Sequence, residues 1–441
     1  MNIFKKNINK IILIVIFLIY YNSIYANIQP KIFNTPKNIK IILLPDITTD
    51  LVSVSMAFKG AGSKNDPSGQ EGLAYTTMQM LWRNPDSTMD RNQRSRKIKE
   101  LGVMNGIDFN LNQDNLIIEF KCPEENLSQI FNIIANMLTN CKLEDNELHK
   151  IKNFNNTIKL ETASEIEFAK YALESKIFSG HPYGTPISGS PNSVQTLSIK
   201  DVSQNILNNL AKNNLIVSLV GNLDHNKIGQ IIEQAFFKLP DKANLRATPA
   251  IIPKLDGSLQ TIIKNSPQSG VIFALHAPPF KSKDFYPVLI LNRILGNPFT
   301  GRLWMEIREK HGLAYQIGSS LDIRELSNGL LIGYLKCANK DSIKAMELIK
   351  QEIQKLKING VTEQELKDAK SGAIGAFALH FITTEQTSEY LLSAELLGRT
   401  LAELNNRNQH INAVTIEQIN KIAAKYLNLD ELTTVLVGDP Q

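Results

Sequence analysis

The sequence predicts an α+β protein built from two homologous α/β sandwiches, each a mixed sheet covered by helices. Three observations carry this. The stretch Asn214 to Asn222 (NLIVSLVGN) recurs as Leu432 to Asp439 (LTTVLVGD), with Gly221 and Gly438 offset by 217. Leu116 to Leu138 resembles Leu330 to Ile353, with Lys121-Cys122 matching Lys336-Cys337, and Leu148 to Asn153 resembles Leu366 to Ser371. Within each half, strands give way to runs of helix, the order of an α+β sandwich. These pieces together describe an internal duplication of about 215 residues. Residues 27–245 and 250–441 are therefore expected to be an N-terminal and a C-terminal domain. The linker, over 239–255, carries Pro240, Pro249 and Pro253.

In the first half, Lys40 to Pro45 and Val52 to Phe58 read as strands, and the alternation of the second predicts one covered face. Gln70 to Trp82 reads as a buried helix, and Arg91 to Leu101 as an amphipathic one. Phe109 to Leu111 and Leu116 to Phe120 form an expected hairpin. Helices follow over 125–140, over 144–180 with a break, and over 199–212.

Residues 1–26 have the three parts of a secretory signal. Lys5, Lys6 and Lys10 make a basic start, Ile11 to Tyr21 is continuously apolar, and Ala26 ends a stretch suited to cleavage. No cysteine follows the cleavage point, so no lipid anchor is indicated. The alternative is an uncleaved membrane anchor, the one route to a membrane that the sequence offers. A periplasmic or secreted protein, from a Gram-negative bacterium, is expected. Losing this segment lowers the formal net charge from +5 to +2. Nucleic-acid binding needs clustered basic residues. The cluster Arg91, Arg94, Arg96, Lys97 and Lys99 is flanked by Asp86, Asp90 and Glu100, and reads as a solvated helix face.

Cys122, Cys141 and Cys337 give an odd count. A helix over 125–140 would hold the first two roughly 20 Å apart, whereas a disulfide needs Cα atoms within about 7 Å. No disulfide framework is expected.

The stretch Gly301 to Tyr315 (GRLWMEIREKHGLAY) concentrates the chemistry. Thr300 can cap a helix, Leu303 and Ile307 mark its buried face, and Gly312 fits a C′ position at positive φ. Arg308 would end the helix and Tyr315 open the next strand, so both can point at one spot. A guanidinium and a phenol there can hydrogen-bond a peptide carbonyl or an oxyanion. The plainer reading is an exposed Arg and a half-buried strand Tyr.

Three motifs, in order, make the chain resemble the insulinase/pitrilysin family of zinc peptidases, the inverzincins. Gly60-Ala61-Gly62-Ser63 through Gly72-Leu73-Ala74 resembles the lead-in to that family's zinc helix. His181-Pro182-Tyr183-Gly184-Thr185-Pro186 with Gly189 resembles the turn after the first half's long helices. Arg302-Leu303 through Gly312-Leu313-Ala314-Tyr315 resembles the second-half substrate motif. The resemblance spans essentially all of the chain beyond residue 26.

The departure lies in the zinc motif. Active members continue with H-x-x-E-H, two imidazoles for zinc and a glutamate that activates water. Here the slots hold Tyr75, Thr76, Thr77, Met78 and Gln79, and the position of a third ligand falls at Asn155-Asn156-Thr157. Tyr, Met and Gln do not replace imidazole and carboxylate for Zn²⁺, so no catalytic residue and no metal are expected on this chain alone. Some members divide the parts between two chains, one with the zinc site and one with the Arg/Tyr pair. The resemblance implies the second kind: a non-zinc subunit whose Arg308 and Tyr315 contact a peptide substrate, beside a zinc-bearing partner. The alternatives are an inert scaffold subunit and a peptide-binding homodimer. His181 reads as a turn residue, His276 as a strand end, and Glu161, Glu165 and Glu167 as a solvated helix face. Asn297-Pro298-Phe299 is either a chamber wall or a turn.

Overall fold

The computed structural model describes residues 29–158 and 163–440. The expected signal segment and Glu161 lie outside the described residues, as do the side chains of Asn155, Asn156 and Thr157. Among the described residues no helix is long and apolar enough to cross a membrane.

Two sheets form. The first contains β1 (Lys31–Asn34), β2 (Lys40–Pro45), β3 (Leu51–Lys59), β4 (Asp108–Leu111), β5 (Asn115–Pro123) and β6 (Leu215–Gly221), in the order β1-β2-β6-β3-β5-β4. The second contains β7 (Leu259–Ile263), β8 (Gln268–His276), β9 (Ala314–Asp322), β10 (Leu330–Ala338) and β11 (Thr433–Gly438), in the order β7-β11-β8-β10-β9. Remove β1 and the two orders are the same. Each sheet has one parallel pair, β2 with β6 and β7 with β11, and antiparallel pairs elsewhere. The sequence duplication is thus a duplication of topology, in an α+β fold with helices on both sheets.

The first half supplies α1 (Leu73–Arg83), α2 (Arg91–Glu100), α3 (Leu127–Thr139), α4 (Asp145–Ile158), α5 (Glu165–Ile177), α6 (Pro191–Thr196), α7 (Ile199–Asn209) and α8 (His225–Ala235). The second supplies α9 (Phe285–Gly296), α10 (Ser342–Asn359), α11 (Glu363–Ala378), α12 (Thr384–Leu396), α13 (Leu401–Asn412) and α14 (Ile416–Tyr426). Val52, Val54, Met56 and Phe58 on β3 face α3 and α8, meeting Phe131, Ile134 and Ile232. Their counterparts Val271, Phe273 and Leu275 on β8 face the helices of the second half.

The opposite face of each sheet is covered by a helix from the other half. Ala169, Leu173 and Ile177 on α5 pack on Ile272, Ala274, Val435 and Val437 of the second sheet. Leu391 and Leu392 on α12 pack on Ile42, Ala57, Ile216 and Val220 of the first. Polar contacts fix the second placement: Ser388 Oγ donates to the Ser218 carbonyl (3.1 Å), and Ser53 Oγ lies 2.7 Å from Thr384 Oγ1. This exchange corrects the expectation of one covered face on β3. Ser53 and Ser55 are as buried as the apolar residues beside them, because α12 arrives from some 330 residues away.

The exchange also corrects the reading of Glu165. Glu165 lies at the start of α5 against the second sheet, accepts from Ser266 Oγ (2.8 Å), and sits 3.7 Å from Lys264 Nζ and 3.6 Å from Lys336 Nζ. Glu167 closes a capping box with Ser164. Glu165 is therefore not on a merely solvated face, whereas Glu167 is exposed, as expected. Gly270 makes the approach of α5 possible, since a Cβ there would lie 2.6 Å from backbone atoms of Glu165 and Ile166.

A third correction concerns Arg94. It is 1% exposed and not part of a solvated face. Its guanidinium donates to the carbonyls of Trp82 and Asn84 at the end of α1 and lies 3.4 Å from Asp86 Oδ2. Burial pulls its pKa down and Asp86 opposes that. Helix α2 is therefore stapled to α1 through its one buried cation.

The halves meet through a second buried arginine. Arg324, on the β9–β10 connection, pairs with Glu174 of α5 and with Asp322 (2.7 Å), and donates to Gln113 Oε1 (2.8 Å) on the β4–β5 hairpin. Its guanidinium carbon lies 4.8 Å from the Phe178 ring centroid and 5.3 Å from that of Tyr183. Tyr183 is fully buried, donates to Asp114 (2.7 Å) and accepts the Leu326 N–H (3.1 Å), so it ties the two hairpin connections together. The His-Pro-Tyr-Gly motif is therefore structural. His181 caps its turn by accepting the Tyr183 N–H (3.1 Å), as a turn residue should.

All three cysteines are free. Burial pushes Cys122 and Cys337 up to about 12, so neither is a thiolate at neutral pH. The folded chain is expected to leave both unmodified by iodoacetamide at pH 8, while all three react in urea. Mass spectrometry reads the outcome, and stoichiometric labelling of native Cys122 would contradict this packing.

Candidate substrate-contact site

The segment after α9 departs from the expected helix. Thr300 lies in a turn whose N–H reaches the Asn297 carbonyl (3.4 Å) and not at an N-cap. After Gly301 the helix widens, and Trp304–Lys310 forms a π-helix. Such turns are rare and recur at functional sites. A π turn brings residues five apart into register, and Trp304 Nε1 donates to Glu309 Oε1 at 3.0 Å. The end matches expectation: Gly312 has φ 62°, its N–H donates to Arg308 O (3.0 Å) and that of Leu313 to Ile307 O (3.0 Å). Leu303 and Ile307 are fully buried, as their spacing predicts. Arg302 fixes the helix to α11 by a two-pronged bond to Glu365 (2.6 and 2.9 Å).

Arg308 and Tyr315 do share one spot. The Arg308 guanidinium lies 4.0 Å from the Trp304 ring centroid and 5.6 Å from that of Tyr315, and Nη1 donates to the Tyr315 carbonyl at 2.6 Å. That carbonyl is the one acceptor bonded to Arg308 among the described residues. The remaining N–H groups of its five donors are free for a peptide carbonyl or carboxylate. Tyr315 is 67% exposed, which corrects the half-buried alternative. Two more residues complete this platform, Trp304, which sequence reasoning missed, and Phe299, which it left as a chamber wall or a turn. Trp304 lies beneath the guanidinium, and Phe299, at φ 74° and 72% exposed, packs tilted against Trp304 with centroids 4.7 Å apart. The spacing of Trp304 and Arg308, one turn apart, was the available signal.

The zinc-motif slots lie on α1, in the first half. Met78 is buried in the first core, and Tyr75 packs against the same cluster. Gln79 accepts from Arg83 Nε (3.2 Å), a bond along its own helix. The buried hydroxyls of Thr76 and Thr77 have no hydrogen-bond partner among the described residues. Asp66 accepts the N–H groups of Gly72 and Ala74 (both 2.8 Å) and so holds the start of α1; burial pushes its carboxyl up to about 7 against those bonds. Tyr75 and Met78 thus serve packing, and Gln79 a bond along the helix. Among the described residues no three His, Cys, Asp or Glu side chains are grouped to hold a metal. Tyr75, Met78 and Gln79 do not fit zinc chemistry.

Comparison with known proteins identifies the fold. The pattern of the insulinase family, peptidase family M16, matches residues 40–190, and that of the peptidase M16 inactive domain matches residues 196–373. The chain belongs to the insulinase family. A Helicobacter pylori relative called non-peptidase homolog YmxG is 24% identical over 398 residues, covering 88% of each chain. A Bacillus subtilis relative called an uncharacterized zinc protease YmxG is 22% identical over 404 residues, covering 91% of this chain and 96% of that one. A Pseudomonas fluorescens crystal structure described as a peptidase M16 inactive domain shares the fold with a TM-score of 0.85 at 21% identity, covering 94% of this insulinase-family chain and 98% of the other.

Proposed function

We propose that this chain is the non-zinc subunit of a heteromeric insulinase-like metallopeptidase. It supplies half of a chamber and a substrate clamp made by Arg308 and Tyr315, while a partner bearing H-x-x-E-H supplies zinc and the activated water. One contrast carries the reading. The metal slots are spent on packing at Tyr75 and Met78 and on a bond along the helix at Gln79, while Arg308 and Tyr315 stay together at the surface with donors unused. A buried zinc motif that has been lost predicts an inert chain. A guanidinium held over Trp304 is prepared to bind a peptide backbone, because less freedom is lost on binding. The name of the Helicobacter relative, a non-peptidase homolog, supports the inert half of the reading. Residues 27–245 and 250–441 are the proposed domains, and residues 1–26 the proposed export signal that places the protein in the periplasm or outside the cell.

The alternative, an inert scaffold or peptide-binding subunit, shares the lost zinc motif, and a pure scaffold gives Arg308 and Tyr315 no task. Assembly is tested by sedimentation of the chain, lacking residues 1–26, with the zinc-motif protein of the same organism. One boundary at the summed mass is expected. Two independent boundaries would contradict the heteromeric reading.

A further inference from the structure

We propose that the second half carries a separate binding site for a small carboxylate, built around the uncompensated guanidinium groups of Arg399 and Arg407. Both line a pocket of about 130 Å³ between α9, α11, α12 and α13. Aromatic rings make most of its wall. Arg399 lies 4.1 Å from the Phe280 ring centroid, and Arg407 lies 4.4 Å from that of Phe377.

Among the described residues, Arg94, Arg302 and Arg324 each have a carboxylate partner within 4.0 Å, while Arg399 and Arg407 have none. Arg399 Nη1 makes one long bond, 3.4 Å to Tyr390 Oη, and its buried Nε has no partner. Arg407 Nη1 reaches the Ala373 carbonyl and Asn408 Oδ1, both at 3.4 Å. Glu403 lines the same pocket, but its carboxylate accepts the Thr400 N–H (2.7 Å) and hydroxyl (3.1 Å) as a helix cap. Burial, then the neighbouring Arg399 and Arg293, pull Arg407 below its ordinary range despite Tyr390 and Tyr286, and burial with Arg407 and Arg399 does the same to His380.

Two like charges sharing an apolar wall disfavour each other, and a guanidinium with unmade hydrogen bonds is costly to keep there. An anion bound between them removes both costs. A carboxylate fits better than a phosphate. Its two oxygens match a guanidinium fork, and its apolar body meets the phenyl walls, which a phosphate has no apolar part to fill. The source could be a free organic acid or the C-terminal carboxylate of a short peptide.

The test is isothermal titration calorimetry on the chain lacking residues 1–26, at constant ionic strength. The probes are benzoate, butyrate, a dipeptide with a C-terminal phenylalanine, the same dipeptide amidated, and inorganic phosphate. Saturable binding of carboxylates is expected, weakened about tenfold or more in Arg399→Gln and in Arg407→Gln. Both variants should fold, because each removes an unpaired charge, and an unchanged or raised melting temperature is expected. Dipeptide binding lost on amidation assigns the site to peptide termini, and benzoate or butyrate binding alone assigns it to free acids. No carboxylate binding, binding undiminished in both variants, or phosphate bound as tightly as carboxylate would overturn the proposal.

Discussion

Replacing Arg308 with alanine is expected to lower kcat/KM of the reconstituted two-chain peptidase about 100-fold while leaving its assembly unchanged. Removing one preorganised donor aimed at developing charge typically costs about 10²–10³ in rate. In the proposed clamp Arg308 would be such a donor, and two contacts hold it in place. Trp304 fixes its plane from below at 4.0 Å, and the Tyr315 carbonyl fixes one arm at 2.6 Å. The side chain holds no carboxylate partner among the described residues, so its loss leaves no buried charge behind. Arg308→Lys keeps the charge but loses the fork, and should recover only part of the activity. Tyr315→Phe isolates the phenol, since it retains the ring 5.6 Å from the guanidinium. Steady-state kinetics on a fluorogenic peptide reads all three. Wild-type turnover by the Arg308→Ala complex would remove the clamp from the mechanism.

Replacing Arg324 with methionine is expected to destabilise the chain by about 3–5 kcal/mol, the usual cost of breaking a buried ion pair from one side. The reason is topological as well as electrostatic. Arg324 joins the β9–β10 connection to α5 and to the β4–β5 hairpin, so it couples the two halves where the exchanged helix enters. Glu174 would be left with its side chain only 13% exposed and no cation. Combining Arg324→Met with Glu174→Gln removes that stranded charge and should recover part of the loss. Urea unfolding followed by circular dichroism measures both variants. A single variant as stable as the wild type, or a double variant with no recovery, would show that this arginine is not the coupling.

Much of the fold was legible because duplication writes the same pattern twice. The glycines 221 and 438 end equivalent strands, and Lys-Cys recurs at 121–122 and 336–337 on β5 and β10. What escaped was weakly patterned or long-range. Strands β1 and β7 lie at sheet edges and are largely exposed, so no alternation marks them. The exchange of α5 and α12 depends on contacts across the whole chain, which local periodicity does not encode. Arg94 sits in a run of basic residues, and charge pattern alone cannot show which one turns inward. At the site, the Arg/Tyr spacing and the C-terminal glycine were readable. The π turn was not, because its residues are ordinary helix formers and nothing in their pattern marks it.

On the proposed reading, this chain is inert alone and contributes to peptide hydrolysis with a zinc-bearing partner. The most direct measurement is a fluorogenic peptidase assay on the chain lacking residues 1–26, alone and mixed with the H-x-x-E-H protein of the same organism, each with and without a chelator. Silence alone and chelator-sensitive cleavage in the mixture, well above that of the partner by itself, are expected. Chelator-sensitive cleavage by the purified chain alone would overturn the reading of Tyr75, Met78 and Gln79, and a partner equally active without this chain would contradict its role as a subunit of the enzyme.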